Sequence, residues 1–155
     1  MNILFRYLIG VFLCGAMATA VPAENHGTAD EAVALVKKAI VFYKANGREK
    51  TFSEINNPTG MFVQKDLYLF VGALGLGGPT MAHGANPKLV GKSLTDLKDA
   101  DGVYFVRKFL DVANGKMGNG WVDYKWPNPI TKQIEPKSTY VERVDDFYIA
   151  CGIYK

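Results

Sequence analysis

The chain has 155 residues, enough for one domain with a single hydrophobic core. Its formal net charge is only +3, and its lysines and arginines form no basic block, which argues against nucleic acid as a partner. Cys14 and Cys151 are the two cysteines, and Cys14 falls within an N-terminal apolar run. If that run is removed, no intrachain disulfide can form, and Cys151 is expected to be a buried small residue.

The N-terminus has the layout of a secretory signal peptide. Arg6 precedes the apolar run of residues 7–18, and small residues follow at 18–20 and 21–23. We expect residues 1–23 to be a signal peptide, cleaved after Ala20 or Ala23, and residues 24–155 to form a single periplasmic or secreted domain. Loss of Arg6 leaves a charge of +2. No second apolar stretch reaches about 20 residues, so we expect no membrane insertion after cleavage.

Three helices are predicted from apolar spacing and capping residues. Thr28 and Glu31 form a capping box before a helix at residues 29–45, and a shorter helix follows at 48–55. A third helix is expected at 102–113, with Asp101 as its N-cap.

Five strands are predicted at residues 67–71, 79–83, 121–126, 138–144 and 147–154. The glycine-rich stretch between the first two lacks the lysine and the following helix of a phosphate-binding loop, and we interpret it as a hairpin connection. This order predicts an α+β domain with one five-stranded antiparallel sheet. The first helix should cover one face, and the segment from about 87 to 113 should cover the other.

The aromatic strand Trp121–Trp126 is the best candidate for a ligand site. Alternation places Val122, Tyr124 and Trp126 on one face, and Trp121 with two charged residues on the other. The strand could simply be aromatic core, or it could line a small-molecule pocket. The apolar Val122 favours the Tyr124 face as the pocket side, with Trp121 at the rim or in the opposite core.

The remaining candidates suit recognition of a small carboxylate, because they are hydrogen-bond donors on apolar bodies. They are Tyr68, His83, Tyr124, Trp126, Lys137 and Tyr140. No nucleophile motif, metal-ligand spacing or haem attachment is present, so we expect no enzyme, metal or cofactor. One alternative is an enzyme acting on a small acid, with His83 as base and Asp123 or Glu135 assisting. Another is an interaction module that docks a membrane receptor.

Three segments taken together resemble single Cache domains, the PAS-like extracytoplasmic sensor domains of bacterial chemoreceptors and sensor kinases. They are AHGANPKLVGKSLTDLKDADG (82–102), GWVDYKWPNP (120–129) and PKSTYVERV (136–144). The resemblance covers about residues 29–155. It implies a long N-terminal helix packed on a five-stranded antiparallel sheet, and one pocket for a small organic acid such as acetate, pyruvate or lactate. The pocket positions that it implies are Tyr68, Phe70, His83, Trp121, Tyr124, Trp126, Lys137 and Tyr140.

The resemblance also implies a role in chemotaxis or signal transduction. Because the sequence ends at Lys155, we expect a stand-alone sensor module without its own output domain. Its expected partners are a small organic acid and a membrane receptor or sensor kinase, and its expected state is a monomer or weak homodimer.

Overall fold

The computed structural model describes residues 26–155, and the predicted signal peptide lies outside this range. Helix α1 (Ala29–Asn46) begins at the predicted capping box: the Thr28 hydroxyl accepts a bond from the Glu31 N–H, and the Glu31 carboxylate accepts one from the Thr28 N–H. Gly47, at φ 80°, ends α1 and lets α2 (Arg48–Ile55) start at once. Within residues 26–155, no helix is long and apolar enough to cross a bilayer.

Six strands form one antiparallel sheet, in the order β1-β2-β6-β5-β4, with β3 also paired to β2. The predicted α+β class is confirmed, and the two-residue β1 is added to the five expected strands. The strands are β1 (Val63–Gln64), β2 (Leu67–Ala73), β3 (Thr80–His83), β4 (Asn119–Pro127), β5 (Ile134–Val144) and β6 (Phe147–Tyr154).

Two hydrophobic layers lie on the two faces of the sheet. On one face α1 and α2 pack over alternate residues of β2, β5 and β6, among them Leu69, Ile149 and Cys151. Burial raises the pKa of the Cys151 thiol to about 12, as expected for a core cysteine. On the other face α3 (Phe105–Asn114) packs over β4 and β5, and this second layer contains most of the candidate site residues.

Helix α3 starts later than predicted, and Asp101 does not cap it. Its N-cap is Tyr104, which makes no side-chain capping bond. Instead, the Asp99 carboxylate accepts bonds from the N–H groups of Asp101 and Val103, which fold the loop before the helix. The same carboxylate accepts the N–H of Lys125, and Asp101 pairs with the Lys125 ammonium. Asp99 thereby ties the covering segment to the outer edge of β4.

The glycine-rich stretch joins two antiparallel strands, which confirms the hairpin prediction. Strand β2 runs to Ala73 and β3 starts at Thr80, with a register shift between Val71 and Gly72. The connection, residues 74–79, lies beside the covering segment, where the Gly77 N–H donates to the Thr95 hydroxyl. The hairpin therefore closes one end of the space between the sheet and α3.

Candidate ligand-binding site

Strand alternation brings most of the candidate residues together beneath α3. Residues spaced by two along a strand share a face. The register sets Lys137 of β5 opposite Tyr124 of β4 and Tyr154 of β6. The face beneath α3 therefore carries Tyr68, Phe70, His83, Tyr124, Trp126 and Lys137.

Aromatic rings of α3 cover this group. Phe105 stacks on Tyr124, with ring centroids 4.8 Å apart and planes 13° from parallel. Phe109 meets Tyr124 edge-on at 5.4 Å and lies 5.7 Å from Phe70. Such ring pairs add specific geometry to burial, so α3 forms a fixed apolar roof over the sheet.

A hollow lies between this roof, the sheet and the β2–β3 hairpin, and it meets a more open vestibule at Tyr68, His83 and Trp126. The centre of a water molecule can explore about 30 Å³ in the hollow and about 270 Å³ in the vestibule. By this measure a cavity needs roughly 10–15 Å³ to hold one water molecule. The hollow exceeds this size and opens into the vestibule, so the two spaces together can hold a small organic ligand.

Lys137 is a buried cation without an acidic partner. Its side chain is 1% exposed and passes over Gly152, and its Nζ donates to the hydroxyls of Tyr68 at 2.7 Å and Tyr154 at 3.2 Å. In residues 26–155 no carboxylate forms an ion pair with it. Burial lowers the pKa of Lys137 from 10.5 to about 7. An anion bound nearby would favour the charged form.

The two phenols link Lys137 to the hollow. Tyr154 donates to the Pro127 carbonyl at 2.9 Å, and its oxygen accepts from Lys137. Tyr68 also accepts from Lys137, so its own hydrogen is available to the Tyr154 oxygen or to a ligand. Burial raises the pKa of Tyr68, and the nearby Trp126 indole acts in the opposite direction. Tyr68 remains a neutral donor between the ammonium and the open space.

His83 is held as a neutral donor of defined tautomer. Its Nδ1 accepts bonds from the N–H groups of Ala85 at 3.3 Å and Asn86 at 3.0 Å, so the ring hydrogen belongs on Nε2. The Tyr68 and Phe70 rings lie within 6 Å of the imidazole. Burial, assisted by the charge of Lys137, lowers the pKa of His83 to about 3.

We expect His83 to show no titration between pH 5 and pH 8. In ¹⁵N-labelled protein, the nitrogen chemical shifts of the His83 ring should report the Nε2–H tautomer throughout this range. Because the folded pKa lies below the usual 6.5, the folded state binds fewer protons than the unfolded state between about pH 3 and 6.5. His83 therefore makes the protein less stable as pH falls through this window. A midpoint near 6.5 or an Nδ1–H signal would contradict this account.

Lys137 reaches the hollow only through Tyr68, and two other predicted site residues lie on the opposite face of the sheet. Trp121 and Tyr140 are register partners with ring centroids 5.5 Å apart, and they lie on the sheet face that packs against α1. Trp121 is 40% exposed there, and the Tyr140 hydroxyl donates to Glu142 at 2.9 Å. These two side chains therefore do not line the hollow, because they have the wrong parity along β4 and β5; for Trp121 this opposite face was one of the two expected positions.

Several residues at the site escaped prediction from the sequence. They are Phe105 and Phe109 on α3, Gly72 on β2, and Tyr148, Gly152 and Tyr154 on β6. The even spacing of the last three, in the closing strand, indicates that they share a face. The antiparallel pairing of β6 with β5 then places that face beneath α3.

The hypothetical acid–base set around His83 does not form. Asp123 lies on the opposite face, where its carboxylate accepts bonds from Ser138 at 2.5 Å and from Lys155 at 3.0 Å. Glu135 accepts from Asn128 and Thr131 in the β4–β5 loop. The Nδ1 of His83 is occupied by backbone donors, and its low pKa makes it a weak base at neutral pH.

The chain belongs to the single Cache domain family, because the model of single Cache domain 2 matches residues 25–155. Two relatives are signalling proteins. The methyl-accepting chemotaxis protein McpP of Pseudomonas putida is 30% identical over 81 residues, 51% of this chain and 15% of McpP. The sensor histidine kinase MctS of Rhizobium johnstonii is 31% identical over 98 residues, 62% of this chain and 20% of MctS. The chain thus spans a fifth or less of each relative.

Solved structures share the fold. A methyl-accepting chemotaxis protein from Vibrio parahaemolyticus superposes with a TM-score of 0.67 at 26% identity, covering 81% of this chain and 86% of that one. A Cache chemosensory domain described as recognising carboxylic acids superposes with a TM-score of 0.68 at 24% identity, covering 81% of this chain and 91% of that one. At that identity, the second likeness establishes the fold alone.

Proposed function

We propose that this protein is a periplasmic, non-catalytic sensor module that binds a small organic carboxylate. The observation that carries the proposal is Lys137, a buried amine behind Tyr68, which lines the hollow; the hydrogen-bond partners of this amine are phenol oxygens. A buried charge is costly unless an opposite charge and hydrogen bonds compensate it. The two phenols accept the hydrogen bonds of Lys137, and a ligand carboxylate on the other side of Tyr68 supplies the opposite charge.

The proposed ligand lies where the hollow meets the vestibule. Its carboxylate accepts hydrogen bonds from the Tyr68 hydroxyl and the His83 Nε2–H, and Trp126 lines the same junction. Lys137 donates to the far side of the Tyr68 oxygen and so strengthens Tyr68 as a donor. Phe70 and Tyr124 form apolar walls, which strengthen these bonds by excluding water.

The proposed partner is a membrane receptor or a sensor kinase. The relatives of this chain are a chemotaxis receptor and a histidine kinase, and each contains a segment similar to this domain. Signal-peptide cleavage delivers the domain to the periplasm as a monomer or weak homodimer. Ligand occupancy is then passed on by contact with that partner.

Thermal unfolding in the presence of matched ligands tests the proposal. The purified protein is heated with propionate, pyruvate, lactate or propionamide, which has the shape of propionate without its charge. At least one acid should raise Tm, since a ligand at 100 times its Kd adds about 2.7 kcal/mol to stability. Propionamide should not. If no acid raises Tm in protein that native mass spectrometry shows to be empty, the proposal is wrong.

A further inference from the structure

Tyr148 of β6 has a buried hydroxyl that the proposed carboxylate site does not use. The side chain is 4% exposed and lines the hollow, and its hydroxyl has no hydrogen-bond partner in residues 26–155. Burial alone raises its pKa, with no contribution from a bonded or charged neighbour. No fully enclosed side-chain nitrogen or oxygen in this part of the chain lacks a partner, so the Tyr148 oxygen must open onto the hollow.

Gly72 of β2 makes room for this hydroxyl. A Cβ on Gly72 would lie 2.3 Å from the Tyr148 oxygen and 2.4 Å from the adjoining ring carbon. The phenol therefore lies across β2 at the position where the strand has no side chain. Gly72 and Tyr148 are register partners, so the hydroxyl has a fixed place at the hairpin end of the hollow.

The hollow thus has polar groups near both ends: Tyr68 and His83 at the vestibule, and Tyr148 with two threonines at the hairpin. Tyr68 and Gly72 are four residues apart on the same face of β2, a separation of about 13 Å. One continuous hollow touches both residues. Between them Phe70, Phe109 and Leu110 supply apolar lining.

We propose that the Tyr148 hydroxyl is a second recognition point, which binds a hydrogen-bonding group at the far end of the ligand. The inference rests on the proposed function, because the carboxylate is held at the Tyr68 end. The distance of about 13 Å separates the backbone positions of Tyr68 and Gly72, so a ligand that reaches both ends of the hollow is an extended chain. We therefore assign the ligand as a linear acid that is longer than propionate and carries a hydroxyl or carbonyl oxygen at its far end.

Calorimetric titration with three acids tests the assignment in the protein and in Tyr148→Phe. The acids are propionate, hexanoate and 6-hydroxyhexanoate. The protein should bind 6-hydroxyhexanoate about three- to tenfold more tightly than hexanoate, the effect of one neutral hydrogen bond. In Tyr148→Phe this ratio should fall to about one. Because each ratio compares the affinities of two acids for the same variant, a general loss of stability would not change the ratio.

Tyr140→Phe is the matched control, since it removes a phenol hydroxyl from the opposite face of the sheet. It should leave the ratio unchanged. An unchanged ratio in Tyr148→Phe, or binding of propionate without binding of either longer acid, overturns the inference and leaves the proposed function standing. Failure of all three acids to bind overturns both.

Discussion

Replacing Lys137 by Met is expected to abolish carboxylate binding and to stabilise the empty protein. Methionine fills a similar volume, and its side chain has no charge to neutralise and no N–H groups that need an acceptor. Exchanging buried charges for apolar groups of similar size is neutral or stabilising by about 1 to 4 kcal/mol. For a domain of this size, the upper value corresponds to a rise in Tm of roughly 10–15 °C. The Tyr68 and Tyr154 hydroxyls, 3.3 Å apart, can still bond each other.

The gain in stability should depend on pH in a defined direction. The folded pKa of Lys137 is about 7 and the usual value is 10.5, so the folded state binds fewer protons than the unfolded state between these values. The native protein therefore gains stability as pH rises through this window. The advantage of Lys137→Met should be complete below pH 7 and should decrease towards pH 10.5. Chemical denaturation at pH 6, 8 and 10 measures it.

Lys155→Met is the control for this substitution. Lys155 is a half-exposed lysine that pairs with Asp123 at 3.0 Å on the other face of the sheet. Exposed pairs of this kind contribute about 0–1 kcal/mol. We therefore expect unchanged ligand binding and a small effect on stability. If Lys137→Met bound propionate as tightly as the native protein, Lys137 would have no part in the site.

Replacing Gly152 by Ala is expected to destabilise the protein and to remove ligand binding together. The new methyl carbon would lie 2.2 Å from Lys137 Cε and 2.4 Å from the Thr139 hydroxyl oxygen. The backbone of Gly152 does not need positive φ, so the effect comes from this collision alone. Overpacking of a dense interior costs about 1–3 kcal/mol. Lys137 must move, and its bonds to both phenols are lost.

A double-mutant cycle separates the collision with Lys137 from other effects of the methyl group. Lys137→Ala shortens the side chain that collides, so Gly152→Ala should cost at least about 1 kcal/mol less in that background. Gly75→Ala is the matched control, because no heavy atom lies within 4 Å of its added Cβ. We expect it to change stability by less than about 0.5 kcal/mol. Equal costs for Gly152→Ala in both backgrounds would show that the Lys137 stem does not occupy this position.

The strand pattern predicted which residues share a face because alternation is a local rule. Val122 and Tyr124 were expected to share an apolar face, and the structure buries both beneath α3. The same rule shows why one prediction was wrong. Lys137 and Tyr140 are three residues apart in one strand, so they point to opposite faces and cannot line one pocket.

Other parts of the site depend on tertiary contacts that sequence patterns do not contain. The start of α3 is set by Asp99, which folds the preceding loop and joins it to β4, rather than by a capping residue. Gly152 has no local reason to be glycine, since its φ is ordinary for a strand. A side chain at this position would collide with the methylene chain of Lys137, and this tertiary contact explains the glycine.

Titration of the Lys137 side chain in the empty and the propionate-saturated protein tests the central claim most directly. Its ¹³Cε and ¹⁵Nζ signals report whether the amine is charged, and Lys137→Met assigns them. We expect a pKa near 7 in the empty protein, and a clearly higher pKa with propionate bound, because a nearby carboxylate favours the charged amine. The same pKa in both states would contradict the claim that this buried ammonium is the counter-charge of the ligand.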